Sequence, residues 1–312
     1  MSKPKSNLKP KSNNMKTISV ALTLCLVCSV LVAAAAVGLK PAQVENARLD
    51  RNKNILVAAS MFNPDSDTNE DVAERFKDFD IEIVDLNAGT YLDDDALSKV
   101  GIADRNTYDA SQANKNQALS EDLGDNDPAS IGRKPKYAKV YVKNDASGKP
   151  EMVVLPIQGY GLWGTIYGFL TIGSDMNTIE GISFYDHKET PGLGGRIEEP
   201  KWRAMWNGIH SYDESGKVAT GVTKAGNPKD NWVDGISGAT LTSRGVSNMI
   251  QFWLGDQGYK PYLDHLRQES GQTLEKADAQ ARQQLDESPA QTEAHPITEL
   301  VAMAPAAHGK EA

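Results

Sequence analysis

Tyr137-Ala-Lys-Val-Tyr-Val142 and, after a polar turn from Asn144 to Pro150, Glu151-Met-Val-Val-Leu-Pro156 are two short runs rich in β-branched and aromatic residues on either side of turn formers. That pattern reads as a β-hairpin. Thr165 to Ile172 and Thr178 to Tyr185 have the same character and are separated by Gly173 and Ser174, which adds two strands. Upstream, Ile81-Glu-Ile-Val-Asp-Leu86 reads as a first strand, and Val72, Phe76 and Phe79 recur at helical spacing behind a Thr68/Asp71 capping pair. Together these elements predict an α+β domain with an antiparallel-rich sheet.

Working outward, the 312 residues hold 39% apolar side chains, a low share for a globular chain. The deficit is local. It falls in polar stretches near residues 105–130 and in a Gln-, Glu- and Ala-rich tail over residues 268–312, interrupted by Pro289, Pro296 and Pro305, which predicts disorder there. The globular part is therefore expected over about residues 45–265. At the other end, residues 1–16 carry Lys3, Lys5, Lys9, Lys11 and Lys16 with no acid, and residues 17–39 carry no charge at all. As a helix the uncharged run spans about 34 Å, enough to cross a hydrocarbon core. Its length favours a retained anchor over a cleaved leader, although Ala33 to Ala36 offer the small residues a leader would need. The lysines would keep residues 1–16 in the cytoplasm and place the rest outside. Leu49, Ile55, Leu56, Ala59 and Met61 predict a helix over 45–62 that continues from the anchor or closely follows it.

Setting the five N-terminal lysines aside leaves 28 basic against 42 acidic residues in the exported part. That field repels nucleic acid and argues against adhesion to anionic lipid. Cys25 and Cys28, the two cysteines of the chain, lie inside the apolar run and read as small apolar side chains, not as a metal or redox pair. The acids Asp65 and Asp67 lack the glycine and the terminal glutamate of a calcium loop, and Asp93 to Asp95 read as a solvated cluster. The five histidines, including His187, show no ligand spacing, so no metal site is expected. Ser237 lies outside any nucleophile elbow, and no catalytic residue stands out.

Three glycine-rich stretches remain. Gly159-Tyr-Gly-Leu-Trp-Gly164 matches the spacing of a dinucleotide fingerprint but is followed by a strand-like run where that fingerprint needs a helix. Its aromatic faces, Tyr160 and Trp163, suit either the border of a planar cofactor or ordinary core. His187-Lys-Glu-Thr-Pro-Gly-Leu-Gly-Gly195 makes a tight bend with one projecting apolar side chain, Leu193. Asp234-Gly-Ile-Ser-Gly-Ala-Thr-Leu-Thr-Ser243 runs straight into an amphipathic helix marked by Leu241, Val246, Met249, Ile250, Trp253 and Leu254. There Thr240, Thr242 and Ser237 compete for the N-cap, and the same turn can present backbone donors to a phosphate. Residue physics leaves Thr240 open between a helix cap and a cofactor tether.

These stretches together carry a resemblance. Gly161-Leu-Trp-Gly164, Glu189-Thr-Pro-Gly-Leu-Gly194 and Asp234-Gly-Ile-Ser-Gly-Ala-Thr240 resemble the C subunit of the sodium-translocating NADH:quinone reductase, within the wider group of exported FMN-binding domains. The likeness runs from the anchor to about Tyr262. It implies one FMN joined through its phosphate to Thr240, with Ser237, Gly238 and Ala239 shaping the loop and Thr190 and Leu193 bordering the flavin. It further implies a separate flavin transferase that uses FAD and recognises the sequence beginning at Asp234. The expected organisation is a cytoplasmic segment over 1–16, a transmembrane helix over 17–39, a helical and mixed membrane-proximal part over 40–136, an FMN-binding domain over 137–267 and the tail. The resemblance implies an inner-membrane, single-pass relay protein with a periplasmic FMN, partnered by other subunits that take electrons from NADH and pass them to ubiquinone as sodium crosses. It is not expected to be active alone, and its anchor, lacking ionisable residues, is not expected to conduct sodium. Two rivals stand beside this reading: the G subunit of the related ion-translocating electron-transport complex, and a non-redox anchored scaffold in which Thr240 only caps a helix.

Overall fold

The computed structural model describes residues 14–64 and 66–271. Most of the lysine-bearing segment, Asp65 and nearly all of the tail expected to be disordered lie outside the described residues.

Helix α1 spans Asn14–Ala58 without a break and contains Pro41. The anchor and the helix expected after it are one element. It is long and apolar enough to cross a membrane, and its most apolar stretch is not buried against the rest of the chain. Cys25 and Cys28 are exposed and unpaired on it. Its last turns change character: Ile55, Leu56, Ala58 and, just beyond, Ala59 are buried against Val72, Phe79, Tyr141, Val154 and Phe169. That packing joins the stalk to the domain. Helix α2 (Asn69–Arg75) begins with a capping box in which the Thr68 amide donates to Asp71 at 2.7 Å. Asp67 accepts from Arg75 at 2.7 Å, so Asp71 and Asp67 serve a helix start and an ion pair.

The strands follow as β1 (Phe79–Asp85) and β2 (Thr90–Tyr91). Short helices α3 (Asp94–Lys99) and α4 (Ala110–Ala113) and a two-stranded ribbon of β3 (Ser120–Asp122) and β4 (Arg133–Pro135) come next. The main sheet then gains β5 (Tyr137–Asn144), β6 (Pro150–Tyr160), β7 (Thr165–Gly173) and β8 (Thr178–Asp186). Helix α5 (Pro200–Arg203) leads to β9 (Ile209–His210), and α6 (Thr240–Trp253) and α7 (Lys260–Glu269) complete the described chain. The seven-stranded sheet has the order β2-β1-β5-β6-β7-β8-β9, and every neighbouring pair is antiparallel.

One face of the sheet carries the main core, where Val140, Leu155, Ile166 and Leu170 meet Val246, Met249 and Ile250 of α6 and Leu263 of α7. The other face is covered by the end of α1 and by α2, with a third cluster around Ile83, Leu92 and Tyr108. Leu241 departs from the expected helix stripe and is exposed, because the first turn of α6 overhangs the sheet end.

The β5–β6 pairing has a gap. β5 pairs with β1 along its whole length as far as Asp85↔Tyr137, and β6 pairs with β7 as far as Tyr160↔Thr165. The two strands pair with each other only from Tyr141↔Val154 to Asn144↔Pro150. The sequence pattern predicts that this strand ends at Pro156. It continues instead, because a proline with no N–H to give is tolerated where the neighbouring strand has moved away. Side chains take over the facing carbonyls: Tyr108 donates to Tyr137 at 2.8 Å, Tyr259 to Pro156 at 2.7 Å and Trp253 to Gln158 at 2.7 Å.

Candidate functional site

The three glycine-rich stretches meet at one end of the sheet. Residues 161–164 form the turn between β6 and β7, closed by Gly161 donating to the Gly164 carbonyl at 2.8 Å. This is a hairpin tip, in keeping with the rejection of a dinucleotide fold. Tyr160 and Trp163 are both exposed, which removes the ordinary-core reading of their rings. After β8, the chain bends at Thr190, whose carbonyl accepts from the amides of Leu193 and Gly195. Gly192 sits there at φ +74°, a left-handed conformation that glycine adopts without strain.

Glu189 joins these two loops to α6. Its side chain is buried, with Oε1 accepting from the amides of Leu162 (2.9 Å) and Trp163 (3.0 Å) and Oε2 accepting from the Thr242 hydroxyl (2.5 Å). The glycines around it leave it room: a Cβ on Gly161 would stand 2.5 Å from Oε1, and one on Gly194 would stand 2.6 Å from Oε2. The sequence pattern holds Glu189 inside a motif but assigns it no role. The signal that could have found it was an acid followed at once by one glycine-rich bend and matched by a second. Next to it, His187 Nδ1 accepts from the Glu189 amide at 3.1 Å and Nε2 stands 3.0 Å from Glu198, which makes it a hydrogen-bonded histidine as expected. Among the described residues no group of His, Cys, Asp or Glu is placed to hold a metal.

The turn into α6 is held from within. Ile236 donates to the Ser243 hydroxyl at 3.0 Å, and Ala239 donates to the Ile236 carbonyl at 3.0 Å. Gly238 stands at φ +80°. Ala239, buried, is the N-cap, and no side chain caps the helix. The competition among Thr240, Thr242 and Ser237 therefore has no winner. Thr242 is committed to Glu189, Ser237 is exposed outside the helix, and Thr240 is the first helical residue. Thr240 is exposed, and among the described residues its hydroxyl has no hydrogen-bond partner. The amides of Thr240, Leu241 and Thr242 likewise have no acceptor there, as expected of a first helical turn without a cap. Leu193 is half exposed across the turn, and a Cβ on Gly238 would lie 3.3 Å from its Cδ2. Thr190, Leu193, Ser237, Gly238 and Thr240 are thus brought to one place, with Ala239 beneath them.

Asp234 is engaged within the fold. Its carboxylate accepts from the Gly226 amide at 3.0 Å, and its carbonyl accepts from the Trp202 indole at 2.9 Å, so it pins the approach to the turn. Helix α6 is pressed close against the sheet end: a Cβ on Gly245 would lie 2.4 Å from the Tyr160 carbonyl oxygen.

These features fit a phosphate-bearing planar group. An exposed hydroxyl with three unused amides at a helix start favours an anion, and the dipole of α6 adds to it. Tyr160, Leu162, Trp163, Leu193 and Leu241, all exposed, offer apolar surface around it for a ring system.

The family model of the FMN-binding domain matches residues 161–255, which contain all of these loops. The C subunit of the Na(+)-translocating NADH-quinone reductase of Pseudomonas aeruginosa is 43% identical over 263 residues, 82% of this chain and 97% of the relative. Its counterpart in Yersinia pestis is 41% identical over 266 residues, 83% of this chain and 96% of the relative. The crystal structure of NqrC from Shewanella oneidensis superposes with a TM-score of 0.61 at 31% identity, covering 71% of this chain and 99% of that one.

Proposed function

The chain belongs to the family of C subunits of the Na(+)-translocating NADH-quinone reductases, and on that footing we propose that its FMN is carried as a phosphoester on Thr240. It is an electron-transfer component of the sodium-pumping NADH:quinone oxidoreductase, a multi-subunit translocase, and FMN is its cofactor. When bound, FMN supplies the redox chemistry through its ring system, which takes up and releases electrons.

The protein's own residues hold and orient that group. Thr240 Oγ provides the attachment point, and the amides of the first turn of α6 neutralise part of the phosphate charge. Ser237 and Gly238 keep the turn open, Ala239 anchors it in the core, and Leu193 and Thr190 stand at its border. Glu189 fixes the spacing of the three loops so that the apolar collar and the attachment point keep one geometry. The observation that carries the assignment is the Thr240 hydroxyl itself, exposed at the start of α6 and relieved of any capping duty. A flavin transferase is proposed as the maturation partner, reading a loop whose shape Asp234 holds.

The test is in-gel flavin fluorescence after denaturing electrophoresis of the chain produced with a flavin transferase. The band is expected from the unaltered protein, retained at least in part by Thr240→Ser and absent from Thr240→Ala. A band of normal intensity from the alanine variant overturns the assignment.

We also propose that α1 is oriented with its N-terminus in the cytoplasm and the domain in the periplasm. Five lysines precede the apolar run, and the exported part is strongly acidic. An alkaline phosphatase fusion after Gly271 is expected to be active, and an inactive fusion alongside an active cytoplasmic reporter at the same point reverses the orientation.

A further inference from the structure

Where β5 and β6 part, they leave a cavity of about 400 Å³ that opens on the face of the sheet opposite the main core, within the usual size range for small-molecule sites. Its wall is aromatic. Phe169 stacks on Tyr185 with centroids 5.0 Å apart, Tyr141 meets Phe169 edge-on at 6.0 Å, and Tyr167 lies 6.1 Å from Tyr185. Tyr141 is buried and Tyr167 and Tyr185 are partly buried, yet their hydroxyls have no hydrogen-bond partner among the described residues.

Three cations line this space, Arg51, Lys115 and Lys139, and Lys115 is turned to the Gln112 side-chain oxygen at 3.2 Å. Lys139 is buried, and its Nζ donates to the Asn106 carbonyl at 2.8 Å; no carboxylate among the described residues pairs with it. Burial first, and then the nearby Arg51 guanidinium, push its ammonium down to about 8, against a smaller opposing pull from the Asp109 and Asp104 carboxylates. Arg51, on the exposed face of α1, makes no ion pair among the described residues. Asp109 and Asp186 also reach the lining, but Asp109 already accepts from the amide and hydroxyl of Ser111 at 2.9 and 2.7 Å. With three cations and two acids around it the lining carries a net charge of about +1, so the cavity admits a single negative charge and disfavours a doubly charged phosphate. A lipid headgroup is out of reach, since Arg51 stands about 18 Å along α1 beyond the end of the uncharged run at Leu39.

We propose that this cavity binds a small aromatic monocarboxylate, its ring against Phe169 and Tyr185 and its carboxylate between Lys139 and Arg51. The flat faces supply the apolar contact, the tyrosine hydroxyls donate to the oxygens, and the charge that Lys139 holds in the domain gains its counter-ion. The site is separate from Thr240, since no residue of the flavin turn lines it.

The probe is 4-fluorobenzoate, observed by ¹⁹F NMR with the full-length chain in detergent micelles, with 4-fluorobenzamide as its neutral counterpart. Saturable binding of the carboxylate in the sub-millimolar range is expected, about tenfold or more weaker for the amide and for Lys139→Met, and about threefold weaker for Arg51→Gln. The last substitution lies on an exposed helix face, so it reports even if the lysine variant fails to fold. Equal binding of the amide, unchanged affinity in both variants, or no saturable broadening up to about 10 mM overturns the proposal.

Discussion

The Thr242 hydroxyl and the Glu189 carboxylate meet at 2.5 Å across fifty-three residues of sequence, both buried, and their contact ties α6 to the loops on either side of Thr240. Glu189 accepts from three donors. Replacing it with glutamine would turn an acceptor into an amide whose NH2 faces other donors. Glu189→Gln is expected to destabilise the chain by about 2–4 kcal/mol and to reduce flavin attachment, whereas Thr242→Val is expected to cost about 1–2 kcal/mol. Urea melts and flavin fluorescence of the two variants check this. Wild-type stability in Glu189→Gln would remove the carboxylate from its organising role.

Thr240 is not the cap of its helix, so its loss should hardly be felt by the fold. Thr240→Ala is expected to change stability by less than about 0.5 kcal/mol when measured without flavin, against the roughly 0.5–2 kcal/mol that a lost cap costs. A larger loss in chemical denaturation would return Thr240 to a capping role.

Two glycines at the site differ in kind. Gly245→Ala places a Cβ 2.4 Å from the Tyr160 carbonyl oxygen and 3.0 Å from the Gly161 Cα, so helix and hairpin must separate. A cost of about 3 kcal/mol is expected, with impaired attachment at Thr240. Gly238→Ala meets only the movable Leu193 side chain and a positive φ, for about 1 kcal/mol. Melting both variants side by side tests the order, and a reversal would mean that α6 packs more loosely than described.

The Lys139 ammonium is held down to about 8 in the folded chain and returns to the ordinary lysine range on unfolding. The unfolded state therefore binds the extra proton between these limits, and stability rises with pH from about 8 to about 10, by at most about 3 kcal/mol. Beyond about pH 10 the trend turns, because burial pushes Tyr141 up to about 12 and that group resists ionisation only while folded. Denaturant melts between pH 7 and 10 check the rise, which Lys139→Met should abolish. A flat profile in the unaltered chain would mean that Lys139 is better solvated than its burial implies.

Much of the fold was legible because its signals are local. Val140, Val142, Val153 and Leu155 alternate within a few residues of one another, and Thr68 and Asp71 form their capping box within a single turn. The uncharged run before Lys40 announced its helix in the same way. The loops around Thr240 were legible as motifs, and Thr190, Leu193, Ser237, Gly238 and Thr240 do converge. What was not legible depends on distant partners. Leu241 fits a helix stripe on paper, and only the placement of α6 over the sheet end leaves it exposed. Glu189 gains its meaning from Leu162, Trp163 and Thr242, none of which is its neighbour in the chain. The parting of β5 and β6 rests on Tyr108, Trp253 and Tyr259 reaching carbonyls that a strand would otherwise bond, and no periodicity in Tyr137–Tyr160 encodes that.

Helix α1 passes from the apolar run into the packed end at Ile55 and Leu56 as one element. The domain is therefore mounted on a screw thread. Adding one residue between Lys40 and Asp50 would lift the domain by about 1.5 Å and swing Thr240 around the helix axis by about 100°, so its bearing relative to neighbouring subunits is set by a residue count. Four added residues would restore that bearing to within about 40°, at the expense of about 6 Å in height.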